Sequence, residues 1–262
     1  MNAESETQRS RSRRRIITLV GVIAVIGIGL GGCSSGSSSA TSSTAAVSSP
    51  DKKAMATVLV RASDFPTGWA ESSKPQSTSN DAATIKVAES ITACRAFVAQ
   101  AAIEKKHTQL SSATFSDSTM PTDAANEASN QVVGYASEAQ AKTAYAAYAA
   151  SQTSSCLQQV FDKVLKDQVA SINAGGGPAA TVTAEVQRLG VPAAGDATTA
   201  YEVVVNVGVS GTTQQLGFVV QIVRTGQYVV SYSATMYKAA PDKFAENLVD
   251  RSMARFEAGL AG

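Results

Sequence analysis

The sequence has few of the residues that build metal centres and covalent active sites. Its 262 residues include three cysteines and a single histidine, His107, which excludes multi-histidine centres and most Cys/His metal sites. Only 16% of the residues are charged, below the roughly 25% of an average soluble domain, whereas 44% are hydrophobic. This composition favours a packed core and argues against wholesale disorder.

Basic residues are scarce outside the N-terminus. Residues 1–32 contain five arginines and two glutamates, so the rest of the chain contains 17 basic and 19 acidic side chains. A nearly neutral folded part lacks the basic surface by which proteins bind nucleic acids. We therefore expect no nucleic-acid partner.

Motifs of known catalytic sites are also missing. No G-x-S-x-G sequence stands between a predicted strand and a helix, and the one G-x-G-x-x-G pattern, at 27–32, has no strand before it. His107 follows two lysines, and we interpret it as part of an exposed loop at a helix end rather than as a general base. The sequence predicts no enzymatic activity, no metal site and no cofactor.

The N-terminus has the layout of an export signal. Five arginines between Arg9 and Arg15 precede 15 mostly apolar residues, Ile16 to Leu30, and small residues follow at once. A basic segment, a short apolar segment and small residues are typical of a secretory signal, whereas a spanning helix needs about 20 apolar residues. We predict a signal peptide over 1–32, with an uncleaved anchor as the alternative. The basic run also fits a twin-arginine signal, so the export route stays open.

The signal ends in a motif with a specific chemical meaning. Leu30-Gly31-Gly32-Cys33 resembles the lipobox of bacterial lipoproteins, and the resemblance implies that Cys33 is acylated after cleavage. Nine of the 17 residues in 34–50 are serine, which predicts a flexible tether. We therefore divide the chain into a signal peptide at 1–32, a lipidated Cys33 with its tether at 33–50, and one domain at 51–262. The lipid would hold this domain on the extracytoplasmic side of the cell membrane.

The apolar pattern of the domain changes from helical spacing to strand alternation near residue 180. Helical spacing predicts helices from about Pro50 and over 85–103, 137–150 and 154–170, with a last helix from Pro241. Alternation predicts strands over 112–118, 126–136, 180–189, 201–209, 215–223 and 228–236. The predicted fold is α+β: an antiparallel sheet whose C-terminal strands form a meander, with helices packed on one face.

Two cysteines remain once Cys33 is assigned to the lipid. Cys94 and Cys156 both lie among apolar residues at helical spacing. Disulfides persist outside the cytoplasm, so we predict a Cys94–Cys156 bridge. Two buried free thiols are the alternative.

The meander offers a candidate ligand surface. If its apolar residues share one side, the opposite side has short polar residues, among them Asn206, Gln221, Ser231 and Ser233. Amides and hydroxyls without charge suit a small neutral polar ligand, such as a carbohydrate, or a peptide segment of an envelope component; a phosphate group would require Arg or Lys. The alternative is an ordinary solvated sheet face.

Three short motifs point to a known family. They are Phe65-Pro66-x-Gly68-Trp69, Cys156-Leu157 and Gly195-Asp196-x-Thr198-x-Ala200-Tyr201. Together with the lipobox and the tether, their order resembles actinobacterial envelope lipoproteins whose domain is similar to the extracellular sensor domain of PknH-type Ser/Thr kinases. Over about 52–260, this resemblance implies helices on a sheet around a cleft that binds a ligand without catalysis.

The function hypotheses belong to three classes. The first is a membrane-anchored envelope lipoprotein with a non-catalytic ligand-binding or sensor-like domain. The second is a carrier of lipids or glycolipids, which would need an apolar cavity above roughly 1,000 Å³. The third is a hydrolase with an unrecognised site, which would need a perturbed carboxylate pair or a Ser–Lys contact in a cleft.

Overall fold

The computed structural model describes residues 49–73, 81–119, 126–174, 179–209, 212–237 and 244–261. The predicted signal peptide, Cys33 and nearly all of the tether lie outside these residues. In the described ranges, the helices are α1 Lys52–Thr57, α2 Asp81–Glu89, α3 Arg95–Glu104, α4 Glu138–Ala149, α5 Gln152–Ala174 and α6 Phe244–Ala261. The strands are β1 Trp69–Ser73, β2 Thr108–Ser111, β3 Thr114–Asp117, β4 Glu127–Gly134, β5 Ala180–Leu189, β6 Ala197–Val209, β7 Thr212–Thr225 and β8 Tyr228–Met236.

The eight strands form one antiparallel sheet. Their order is β1-β3-β4-β8-β7-β6-β5, and β2 pairs with β4 on the same side as β3. Strands β6, β7 and β8 are neighbours in sequence and in the sheet. The α+β class and the C-terminal meander are therefore confirmed.

Helices cover both faces of the sheet, so the prediction of helices on one face is wrong. On the first face, Phe161 and Leu165 of α5 pack on β5, β6 and β7, and α4 packs beside them on β7 and β8. On the second face, α1 and α6 pack on β4, β7 and β8. The error has a physical cause in register: β7 Val223 pairs with β8 Val230, and Ile222 pairs with Ser231. The apolar side of β8 therefore faces opposite to the apolar sides of β6 and β7.

A buried disulfide joins the start of α3 to α5. Cys94, just before α3, is bonded to Cys156, and both residues are at most 1% exposed. Ala88, Ile91 and Val160 pack around the bridge. The predicted pairing is confirmed, whereas the predicted single helix over 85–103 is wrong. That segment is two helices, because the buried Ile91 has an extended backbone between them.

An ion pair fixes the segment after α1 to the C-terminal helix. The Arg255 guanidinium donates to both carboxylate oxygens of Asp64, at 2.5 and 2.8 Å, and the Asp64 side chain is 4% exposed. Arg255 also donates to the carbonyls of Thr57 and Leu59. Two planar hydrogen bonds to one carboxylate give this contact a defined geometry as well as charge.

Side-chain amides of α5 cover part of the free edge of β5. Gln158 donates to the Ala184 carbonyl and accepts from the Val186 N–H, both at 2.9 Å. Asn173 accepts from the Ala180 N–H at 2.8 Å and donates to the Ala180 carbonyl at 3.4 Å. These two amides form hydrogen bonds with backbone groups of the edge strand that would otherwise be free to pair with another strand.

Candidate ligand-binding surface

Polar side chains line the junction of β4 and β8 on the first face of the sheet. Three cross-strand pairs are involved: Glu127 with Thr235, Ser129 with Ser233, and Gln131 with Ser231. Because every second residue of a strand lies on the same face, these six side chains share one side. We call them the polar ladder.

The ladder is recessed rather than fully exposed. Gln131 is buried, and the other five residues are half-buried. The apolar residues Phe218 and Val220 of β7 border it, opposite Thr235 and Ser233 respectively. The Ser129 and Ser233 hydroxyls lie 3.2 Å apart and bond each other. Phe218 and Val220 are core residues under α5 and α4, so the half-buried hydroxyls beside them are the groups of this surface that a ligand could reach.

A chain of hydrogen bonds closes the inner end of the ladder. The Gln131 amide donates to Gln109 Oε1 at 3.0 Å, and Gln109 in turn donates to the carbonyl of Glu104 at the end of α3. This end is held in place by neighbouring elements. The serine and threonine hydroxyls further along the ladder are therefore the groups best placed to bond a ligand.

The ladder has one ionisable group, Glu127, at its outer end. Burial raises the pKa of the Glu127 carboxyl. The residue is half-buried. Among its six side chains, the ladder has no basic group that would favour a phosphate.

The structure separates the four sequence-predicted ligand residues. Ser231 and Ser233 belong to the ladder on the first face, whereas Asn206 and Gln221 lie on the second face. Asn206 accepts from the Gln215 amide at 3.3 Å, and Gln221 is only 3% exposed. The prediction that all four lie on one side of the meander is wrong. The cause is the register of β7 and β8, in which Ser231 pairs with Ile222 and so lies on the face opposite to Gln221.

Sequence reasoning missed the β4 half of the ladder. Within 126–136, the two sides of the strand read Asn126, Ala128, Asn130, Val132 and Glu127, Ser129, Gln131, Val133. Both sides mix polar and apolar residues, so alternation alone marks neither as a site. Only the pairing of β4 with β8 aligns Ser129 with Ser233.

A buried carboxyl lies behind the ladder, between α3, β4 and α4. Tyr135 donates to Glu104 Oε1 at 2.6 Å, and the Gln100 amide donates to the same oxygen at 3.2 Å. Burial raises the pKa of Glu104, while the hydrogen bonds from Tyr135 and Gln100 act to lower it. The Tyr148 hydroxyl also turns toward this carboxyl, yet no hydrogen bond of ordinary geometry joins them. Glu104 is 2% exposed, so this group has no open route to a substrate and we assign it a structural role.

His107 lies in the turn after α3. Its ring packs on Tyr135, with the two ring centroids 4.7 Å apart, and partial burial lowers its pKa. It is half-buried, in contrast to the exposed position predicted from sequence. Across the described ranges, no group of three or more His, Cys, Asp or Glu side chains is placed to hold a metal ion. In the same ranges, no helix is long and apolar enough to cross a membrane.

The comparisons with known proteins leave the family open. No protein-family model matches the chain, and no curated protein matches it. The extracellular domain of PknH from Mycobacterium tuberculosis matches at a TM-score of 0.37 and 10% identity, covering 80% of this chain and 98% of that chain. A match at this level carries no functional argument. The motif residues have structural roles here: Phe65 and Trp69 stack at 5.0 Å, and Asp196 bonds Arg224 at 2.9 Å.

Proposed function

We propose that this chain is an exported lipoprotein, held at the cell membrane through Cys33, whose α+β domain binds a neutral polar ligand without catalysis. The observation that supports the binding role is the polar ladder. Five half-buried polar side chains lie side by side there, next to an apolar border. The lipoprotein part rests on the lipobox and the serine-rich tether.

The chemistry of the ladder favours a ligand rich in hydroxyl or amide groups. Serine and threonine hydroxyls both donate and accept, so they can match either group on a ligand. The ladder lacks the arginine or lysine that a phosphate or carboxylate ligand would need. Carbohydrate and peptide segments fit these requirements, and both are available outside the cytoplasm.

Native mass spectrometry of the lipoprotein purified from envelope membranes tests the binding role. A co-purifying neutral ligand is expected on the wild type. In the variant Ser129→Ala/Ser233→Ala, its affinity should fall roughly tenfold or more, because two hydrogen bonds of about 1 kcal/mol each are lost. The variant removes both partners of one hydroxyl pair, so no buried hydroxyl is left unpaired and the fold should be retained.

Asn206→Ala serves as the matched control, because Asn206 is also half-buried on the meander but lies on the second face. The control should keep the ligand. Loss of the ligand in Asn206→Ala but not in the ladder variant would show that the ladder is the wrong surface. Absence of any bound ligand on the wild type would contradict the proposal itself.

The lipid anchor has a separate test. The variant Cys33→Ala should lose labelling by a radioactive or clickable fatty acid and should accumulate as the uncut precursor. Equal labelling of the wild type and the variant would refute lipidation at Cys33. This outcome would leave the binding role of the ladder untouched.

A further inference from the structure

The domain begins at one end of the sheet. Pro50 packs so closely against Gly134 that a Cβ at that glycine would overlap its ring, and the Asp51 N–H donates to the Tyr228 hydroxyl at 3.2 Å. Gly134 is the last residue of β4 and pairs with both Thr108 and Tyr228, the first residues of β2 and β8. Residue 50, where the predicted tether ends, therefore lies at this end, which we call the tether end.

Four lysines surround the tether end. Lys52 and Lys53 are exposed in the first turn of α1, directly after Asp51. Lys105 and Lys106 are exposed in the turn after α3, next to His107, whose ring packs on Tyr135 just beyond β4. Among the residues with described positions, no acidic side chain forms an ion pair with any of the four.

The other charges near the tether end are one exposed carboxylate, Asp51, and a network of ion pairs. Arg224 pairs with Asp196 at 2.9 Å and with Glu138 at 3.6 Å, and Lys142 pairs with Glu138 at 2.8 Å. Two cations and two anions thus form one neutral network. Four lysines against Asp51 leave the tether end with an excess of three positive charges, although the chain after residue 32 has more acidic than basic residues. An exposed apolar side chain, Ile103 at 47%, lies two residues before Lys105.

We infer that the tether end docks on an anionic bilayer surface, through Lys52, Lys53, Lys105 and Lys106. This inference rests on the proposed lipid anchor, which brings the tether end within reach of the membrane. Each lysine close to an anionic surface strengthens binding roughly fivefold, and such contacts add to the binding through the lipid anchor. Docking would hold the domain in one orientation, with the end of the sheet at the membrane and the polar ladder on a face of the sheet beside the docked end.

Lysine acetylation of the mature, lipidated chain on vesicles tests the docking. Two compositions are compared: pure phosphatidylcholine, and phosphatidylcholine with about 30% phosphatidylglycerol. On the anionic vesicles, the modification rates of the four lysines should fall roughly fivefold or more, while those of Lys163 and Lys166 on α5 should stay unchanged. The protection should disappear in 1 M NaCl, where the screening length is only about 3 Å.

A charge reversal provides the matched comparison. Lys105→Glu/Lys106→Glu should remove the protection of Lys52 and Lys53, whereas Lys163→Glu/Lys166→Glu, two exposed lysines of α5, should leave it intact. Equal labelling of all four lysines on both vesicle types overturns the inference. Sedimentation with pure phosphatidylcholine vesicles reports the lipid anchor separately. A chain that sediments there but shows no anionic protection keeps the anchor and loses the docking. A chain that is protected on anionic vesicles but does not sediment with pure phosphatidylcholine keeps the docking and loses the anchor.

Discussion

Removal of the Cys94–Cys156 bridge should cost the domain about 4 kcal/mol of unfolding free energy. The bridge joins residues separated by 62 positions, and closing a loop of that length restricts the unfolded chain by this amount in the chain-entropy model. For a domain of this size, 1 kcal/mol corresponds to about 2–4 °C in Tm. The variant Cys94→Ala/Cys156→Ala should therefore unfold roughly 10 °C below the oxidised wild type.

Thermal and urea unfolding of three forms separates the cross-link from the packing of the sulfurs. These are the oxidised wild type, the wild type refolded under a reducing agent, and the alanine variant. If the cross-link is responsible, the reduced wild type should lie close to the variant, because both lack the bond while only one lacks the sulfur atoms. A reduced wild type as stable as the oxidised form, or a total loss below about 1 kcal/mol, would refute the entropic account.

Three further changes test other parts of the fold. Burial raises the pKa of Glu104, so the free energy of unfolding of the wild type should fall as pH rises from about 4 through that raised pKa. In urea unfolding from pH 4 to 8, this fall should be smaller in Glu104→Gln, where only the raised pKa of Glu127 still contributes, and an equal fall would refute the assignment. Asp64→Ala leaves Arg255 without its carboxylate and should cost about 3 kcal/mol in the same assay; a loss below 1 kcal/mol would show that the pair is dispensable. Gly195→Ala should cost about 2 kcal/mol or more by thermal unfolding, because Gly195 has φ +59° and an added Cβ would clash with the Thr225 hydroxyl; an unchanged Tm would contradict that geometry.

The strands were largely predictable because their alternation is strong. β5 and β8 have the bounds predicted from sequence, and β4 lies within the predicted 126–136. The short strands β1 and β2 were not predicted. Their five and four residues give too few alternations to mark a period, and their pairing with β3 and β4 defines them.

The candidate site was predictable only in part, because it depends on which strands are neighbours. Alternation identified Ser231 and Ser233 as polar positions of one strand. It could not place them relative to Gln221, since a one-residue change of register moves a whole strand to the other face. The partners Ser129 and Gln131 come from a strand about 100 residues earlier, and no local pattern indicates that pairing.

The amides of Gln158 and Asn173 have a consequence for how copies of the domain behave together. An unprotected outer strand of ten residues would be a template on which a second chain could add its own strand and begin aggregation. Here an incoming strand would first have to displace two side chains, each making two hydrogen bonds to β5. Helix α5 thereby favours separate domains over a continuous intermolecular sheet.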